Sequence, residues 1–380
     1  MRSRKSPLPP HRPTHSKQIH HPFYRPQDNF IQQNEAANQF VQLERYEEAA
    51  QIYASLLEKK PGDTILLANL GGALTKLGRH DEAKTILEYA LELDPQNINA
   101  RINLGGVLQA KKDFHAAIRN ALEAVSLSPT SAVAFNNLGC AFGGVNMMHE
   151  ALHAYQTAQQ LDPDHLEAGL NVAMTLIQLG RIEEGLASYE ALLNKIPASK
   201  PAFKEVVKFY ASFPYLQIGN LSIGWEYYES GFNELLPNGA ARTPNRKFNC
   251  PQWQGEDLSG RKLLVWREQG LGDELMFSSI LIDLMASDAD ITFECTQRLV
   301  NTYRRSFPQL RVQAETINIM TGEFICTETY DYHIPVGSLP RILRKSISDF
   351  EKQRPFIQVD VEQQQLFRDR LQSYRGKKLI

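Results

Sequence analysis

One turn in this chain has residue types suited to chemistry. It reads Glu268-Gln269-Gly270-Leu271-Gly272-Asp273, and it sits between the apolar run KLLVW at Lys262–Trp266 and the helix-like stretch LMFSSILIDLMA. Two glycines allow a tight turn and let a ligand approach backbone N–H groups at the start of a helix. Gly270 and Gly272 are therefore turn-forming residues and candidate cofactor-binding positions. GLGD is not GxGxxG and no Walker lysine follows, so the pattern does not match a dinucleotide or ATP site. Asp273 follows Gly272 and is placed to cap a helix beginning at Glu274. His333, in YDYHIP, lies beyond another strand-like run, where it either faces the same cleft or packs as an ordinary side chain. Arg267 and Glu268 are open to the same two readings. No metal site is expected. Cys140, Cys250, Cys295 and Cys326 are scattered without a CxxC pair, the usage of reduced cytosolic thiols, and the paired His20 and His21 have no matching ligands.

The elements around this turn alternate in type. Lys262–Trp266, Ile291–Cys295, Arg311–Glu315 and Tyr332–Val336 read as strands, with helical stretches after the turn and over Gln297–Ser306. Ser338 is placed to cap a short helix containing Leu339–Leu343. Strands alternating with helices predict a parallel, Rossmann-like sheet, and a strand–glycine turn–helix unit puts the turn at the carboxyl edge, where such sheets bind ligands. Residues 237–254, rich in Pro, Asn and Gly at their start, read as a linker.

Upstream the pattern is periodic. Pro61, Pro95, Pro129, Pro163 and Pro197 recur every 34 residues, preceded at a fixed distance by Ala49, Ala83, Ala117, Ala151 and Gly185. Ala37, Gly71, Gly105, Gly139 and Ala173 keep the same period, as do Tyr53, Leu87, Ala121, Tyr155 and Tyr189. Such a period predicts stacked helix-turn-helix units. In the unit Thr64–Asn97, Leu67, Leu70 and Leu74 form one apolar stripe, Gly71 and Ala83 let two helices approach closely, Gly78 ends the first helix, Asp81 is placed to cap the second, and Pro95 stops it. With Leu87 and Ala90, these positions resemble the signature of the tetratricopeptide repeat (TPR) family. The resemblance implies an α-solenoid of five units over 30–198 that binds protein or peptide partners along its concave groove. Residues 199–236 read as an irregular capping pair, with PAFKEVVKFYASF, a loop around Pro214–Asn220, then SIGWEYYESGF, and with Trp225 at the junction to the next domain.

Asn69, Asn103, Asn137 and Asn171 form another 34-residue column, with Glu35 in its first place. Asparagine is a mediocre helix former, so four in register need a reason. Either each bonds a neighbouring repeat's backbone, or together they line the groove and grip an extended peptide. The second arrangement looks like the asparagine ladder in the TPR half of protein O-linked N-acetylglucosamine transferases.

The carboxyl-terminal part carries a second resemblance, from about Gln252 onward. W-x-G-E-D-L-S-G at Trp253–Gly260, L-L-V-W-R-E-Q-G-L-G-D-E at Leu263–Glu274 and Y-D-Y-H-I-P-V-G-S-L-P at Tyr330–Pro340 look like heptosyltransferase-like glycosyltransferases. They are closer still to bacterial proteins in which TPR repeats precede such a module. The resemblance implies the amino-terminal, acceptor-side half of a GT-B fold over 255–358, with Asp273 as the base that takes a proton from the acceptor hydroxyl and His333 as a companion. It also implies a second half holding a nucleotide-sugar donor. Residues 359–380 read as a connecting helix, Val361–Tyr374, and the start of that half's first strand at Lys377–Ile380. The chain stops at Ile380, so it is expected to be either a fragment or a module without its chemistry, and inactive as it stands. A non-catalytic TPR adaptor whose α/β part docks or dimerises is the competing expectation.

Composition sets the remaining bounds. The 380 residues, 42% hydrophobic, give ample core for two or three domains. A formal charge of -2 predicts no general attraction to nucleic acid or acidic membranes, and no apolar run reaches membrane-spanning length. Residues 1–29 are basic and proline-rich without an apolar h-region, which predicts a disordered tail rather than a secretory signal. The expected setting is cytoplasmic.

Overall fold

The computed structural model describes residues 30–233, 242–244, 246–317, 324–325, 328–351, 354–372 and 374. The basic tail, Cys326, residues 237–241 and 245 of the linker, and the strand expected at Lys377–Ile380 lie outside the described residues. The chain forms two compact units that divide after Ala168.

The first unit is a ladder of helix pairs: α1 (Phe30–Gln42), α2 (Tyr46–Lys59), α3 (Thr64–Lys76), α4 (His80–Leu93), α5 (Ile98–Ala110), α6 (Phe114–Leu127), α7 (Ala132–Gly144) and α8 (Met148–Leu161). Each first helix packs on its own partner, and α3 packs on α5 as α5 does on α7. The small-residue columns explain how. Ala37, Ala49, Ala83, Ala117 and Ala151 are fully buried. A Cβ at Gly71 would stand 2.4 Å from Leu87 Cγ, and one at Gly139 2.5 Å from the Tyr155 ring. Adding a methyl group there would overpack the pair, at about 1–3 kcal/mol. In the third unit Ala121 takes the place of the large residue. Buried Asn120 fills the space instead and donates from Nδ2 to Arg101 O at 2.8 Å.

Two further columns govern the turns. Asp63, Asn97, Ser131 and His165, again 34 apart, cap the first helices of their units; each accepts a bond from a backbone N–H two or three residues on. Each tight turn inside a pair contains a left-handed residue: Glu44, Gly78, Lys112 and Asn146, at φ 58°, 74°, 58° and 64°. Asp81 is not the cap expected of it. Helix α4 starts one residue before it, with Arg79 at the N-cap, so Asp81 lies in the first turn and pairs with Lys111.

The division falls within α9 (Leu166–Gln178); α10 (Ile182–Lys195) follows, with Gly180 left-handed between them, then α11 (Pro201–Gln217) and α12 (Leu221–Glu229). Helix α11 runs through Pro214, where a loop was expected, and bends into α12 only at Ile218–Asn220. Pro214 and Tyr215 are both buried, so packing holds the helix through the proline.

Four strands follow: β1 (Lys262–Trp266), β2 (Asp290–Cys295), β3 (Arg311–Ala314) and β4 (Tyr332–Pro335). All pairings are parallel and the order is β3-β2-β1-β4. Between them lie α13 (Leu271–Ser278), α14 (Leu281–Leu284) and α15 (Val300–Ser306), and beyond them α16 (Leu339–Leu343) and α17 (Val361–Gln372). Leu263, Val265, Ile291, Phe293, Val312 and Ile334 share one core with Phe277 of α13, and Phe209 of α11 and Tyr228 of α12 belong to the same core. Trp225 packs edge-on against Phe277, as a junction residue should. The end of the segment read as a linker is part of the sheet: Trp253 N donates to His333 O, and His333 N donates to Pro251 O.

The left-handed column yields a test. Lys112 is exposed and holds a conformation that costs a side-chain-bearing residue about 1–2 kcal/mol, partly offset by the entropy glycine loses on folding. Lys112→Gly should raise stability by about 0.5–1 kcal/mol in urea unfolding. An unchanged or lower midpoint would contradict this account of the turn.

Candidate functional site

The turn singled out by sequence lies at the carboxyl edge of β1. Its bend comes from Gln269, at φ 59°, and not from a glycine: Gly270 is extended at φ -87°, and Gly272 lies inside α13. Glycine's freedom is therefore not what makes the turn. Gly272 faces open space, since a Cβ there would have nothing within 4 Å. The helix that Asp273 was expected to cap begins at Leu271 and not at Glu274, with Gly270 at the N-cap, so Asp273 lies in its first turn; from there its Oδ2 accepts from Gly270 N at 3.1 Å while Glu274 N bonds Gly270 O. Among the described residues its Oδ1 has no protein partner.

In open parallel sheets, ligands sit outside the strand ends where the order reverses, which here is between β1 and β4. Glu268 closes β1 at that point, and Gly337 and Ser338 follow β4. The crevice is filled by Arg242, whose guanidinium pairs with Glu268 and Glu229. Main chain crosses the same edge, as Gln269 N donates to Thr243 O. Gly337 is required by this arrangement, since a Cβ there would stand 2.0 Å from Glu268 Oε1. Ser338, expected to cap α16, makes no cap bond; its hydroxyl instead joins Glu229 and Arg242.

Other predicted residues are also committed. Arg267 pairs with Glu315 at 2.5 Å and donates to Gln269 O. Glu274, which sequence reasoning did not single out, is fully buried; its carboxylate accepts from Thr296 N at 3.1 Å and Thr296 Oγ1 at 2.5 Å. Burial pushes its carboxyl above the usual range. His333 sits on the opposite sheet face from the core, stacked on Phe248 at 3.9 Å, with Nδ1 accepting from Trp266 Nε1 at 3.2 Å. On that face buried Arg246 pairs with Glu294 at 2.7 Å. Burial, with Arg246 nearby, pushes the His333 imidazole down to about 4. No bond joins His333 to Asp273 among the described residues. Nor is there a cluster of three or more His, Cys, Asp or Glu able to hold a metal among them.

The asparagine column has a definite use in two places. Asn103 Nδ2 donates to Ala68 O at 2.9 Å and Asn137 Nδ2 donates to Ile102 O at 3.2 Å, each 35 residues back. Gly72 makes room for the first, because a Cβ there would stand 2.9 Å from Asn103 Nδ2. These bonds fit the inter-repeat reading. Asn69 makes no such bond among the described residues, and Asn171 is half-buried in α9.

Two measurements test these assignments. Asn103→Ala and Asn137→Ala should each lower stability by about 0.5–1.5 kcal/mol, and Asn69→Ala should change it little; equal, negligible effects at all three would remove the inter-repeat role. For His333 the folded state resists protonation, so the unfolded chain binds more protons between pH about 6.5 and about 4. Its contribution is therefore intact above pH 6.5 and lost as pH falls toward 4. His333→Asn, which keeps an acceptor for Trp266, should flatten the stability profile over that window; an unchanged slope would contradict the assignment.

The tetratricopeptide repeat family model matches residues 40–88, 78–128 and 146–208. Protein FlbA of Caulobacter vibrioides is 31% identical over 196 residues, 48% of this chain and 32% of FlbA. The chain thus spans about a third of the length of that curated relative. The TPR protein TTC0263 of Thermus thermophilus is 18% identical, with TM-score 0.45 over 50% of this chain and 100% of that one. MamA of Desulfovibrio magneticus is 21% identical, with TM-score 0.38 over 44% and 94%. No described helix is long and apolar enough to cross a membrane. The 34-residue ladder is a solenoid of tetratricopeptide repeats, an architecture that serves as a protein-interaction scaffold.

Proposed function

We propose that this scaffold carries the acceptor-side half of a glycosyltransferase-like module, working in a protein or surface-glycan glycosylation system. The observation that carries the reading is the parallel sheet whose order reverses beside β1, with the Gly270–Asp273 turn opening α13 at its carboxyl edge. The reading is supported by open space at Gly272 and by an Asp273 Oδ1 without a partner among the described residues, which would leave room for an acceptor hydroxyl beside a base. Asp273 takes the hydroxyl proton as that oxygen bonds the sugar's anomeric carbon, while the bond from that carbon to the nucleoside diphosphate breaks. The nucleotide sugar is a substrate, and Gly270 and Gly272 flank its acceptor. Partner proteins engage the TPR groove of the first unit, where Asn69 carries no inter-repeat bond among the described residues and Asn103 and Asn137 hold the repeats that form it; Asn171 is the corresponding position of the second unit.

A second reading has its own support. Arg242 fills the switch-point crevice and His333 is packed, which favours a non-catalytic adaptor whose α/β part serves docking. Transfer assays on the full natural polypeptide with a panel of nucleotide sugars separate the two. The enzymatic reading expects transfer, lowered about 100- to 10,000-fold by Asp273→Asn. The melting temperature should hold, because asparagine still accepts from Gly270 N. Neither binding nor transfer with any donor would leave the adaptor.

A further inference from the structure

The crevice between β1 and β4 is built around one chemical group, and that group belongs to the chain itself. Arg242 is fully buried. Its Nε donates to Glu268 Oε2 at 2.5 Å, and its Nη2 donates to Glu268 Oε1. That pair of bonds engages one whole edge of the guanidinium. Nη1 donates to Glu229 Oε1 at 2.9 Å and Nη2 also to Ser338 Oγ at 3.0 Å. Ser338 Oγ in turn donates to Glu229 Oε1 at 2.6 Å, which fixes the second carboxylate in place. Two aromatic rings enclose the group: its central carbon lies 4.2 Å from the Tyr228 ring centre and 4.1 Å from that of Phe232.

Two glycines open the space it occupies. A Cβ at Gly231 would stand 2.7 Å from Arg242 Cγ, and one at Gly337 would strike Glu268. The walls come from α12 and the residues after it, from the end of β1 and from the end of β4, so the receptor is assembled without any part of Arg242. We infer that this crevice is a guanidinium-binding site, occupied in cis by Arg242, and that its occupation latches the 242–244 segment across the carboxyl edge of the sheet.

The chemistry selects a guanidinium over other ligands. A planar group with donors along its edges satisfies a side-on carboxylate, a second carboxylate and a hydroxyl together, while its faces meet aromatic rings. An ammonium ion has neither the paired donors nor the flat faces. A phosphate or carboxylate ligand would meet Glu268 and Glu229 as like charges, so the empty crevice repels anions. This inference is independent of the glycosyltransferase-like reading.

Chemical rescue tests it. Arg242→Ala removes the side chain beyond Cβ, which N-ethylguanidinium replaces atom for atom. The variant should melt about 10 °C below the wild type, since Glu268 is left buried without its cation. Millimolar N-ethylguanidinium should restore several degrees by binding the folded state, and propylammonium at equal ionic strength should not. Arg242→Met fills the channel with an uncharged stem and should not respond to either. If Arg242→Ala does not stay folded, its refolding yield with and without N-ethylguanidinium reads the same question. Absence of rescue in both formats, equal rescue by both cations, or a variant that melts like the wild type would overturn the inference.

Discussion

A fully buried arginine held between two carboxylates, one of them fully buried as well, is an expensive arrangement, because desolvating each buried charge costs several kcal/mol before any contact is made. It persists only where geometry is good on every side, and Arg242 meets that condition with Glu268, Glu229, Ser338 and two rings. Its partners lie at the ends of three elements. Glu229 ends α12, Glu268 follows β1, and Ser338 follows β4. Losing the guanidinium would leave Glu268 buried and unpaired, so none of the three can move without exposing a charge. The aromatic packing of Phe209 on Tyr228, and of Trp225 and Tyr228 on Phe277, supplies the apolar counterpart of the same junction. The last helix pair of the second unit is thus part of the core of the α/β sheet.

The repeats of the first unit follow a simpler logic. Helices come close where a side chain is absent, at Gly71 and Gly139, and a large residue from the partner helix fills the gap. The bonds from Asn103 and Asn137 then fix the third and fourth repeats each to the backbone of the one before it, at the same 35-residue offset. Rigid spacing of that kind gives a scaffold an extended surface, each repeat contacting its neighbours.

Sequence reasoning reached what repeated chemistry expresses. Five prolines and two small-residue columns require the same residue type in every unit, so their period is visible. The left-handed column was not visible, because Glu44, Gly78, Lys112 and Asn146 share a backbone angle and no side-chain property. The strands were legible from apolar runs, and their parallel order followed from the helices between them. Arg242 was hidden for two reasons. It lies in a segment whose proline and glycine content reads as a linker, and its partners Glu268 and Ser338 are 26 and 96 residues away. Asp273 was legible as a residue of a helix start, though not at its place in the first turn, whereas the role of the buried Glu274 beside it was not, because it depends on Thr296, 22 residues away.

Native-state hydrogen exchange along a urea gradient tests most directly whether α12 and the sheet are one cooperative block. Amides of Leu221–Glu229 and of Lys262–Trp266 should converge on a single opening free energy with the same urea dependence, since the arginine network and the aromatic core join them. If the α12 amides exchange through a local opening several kcal/mol cheaper than that of β1 and insensitive to urea, the helix pair is an independent cap and Arg242 does not bind the junction together.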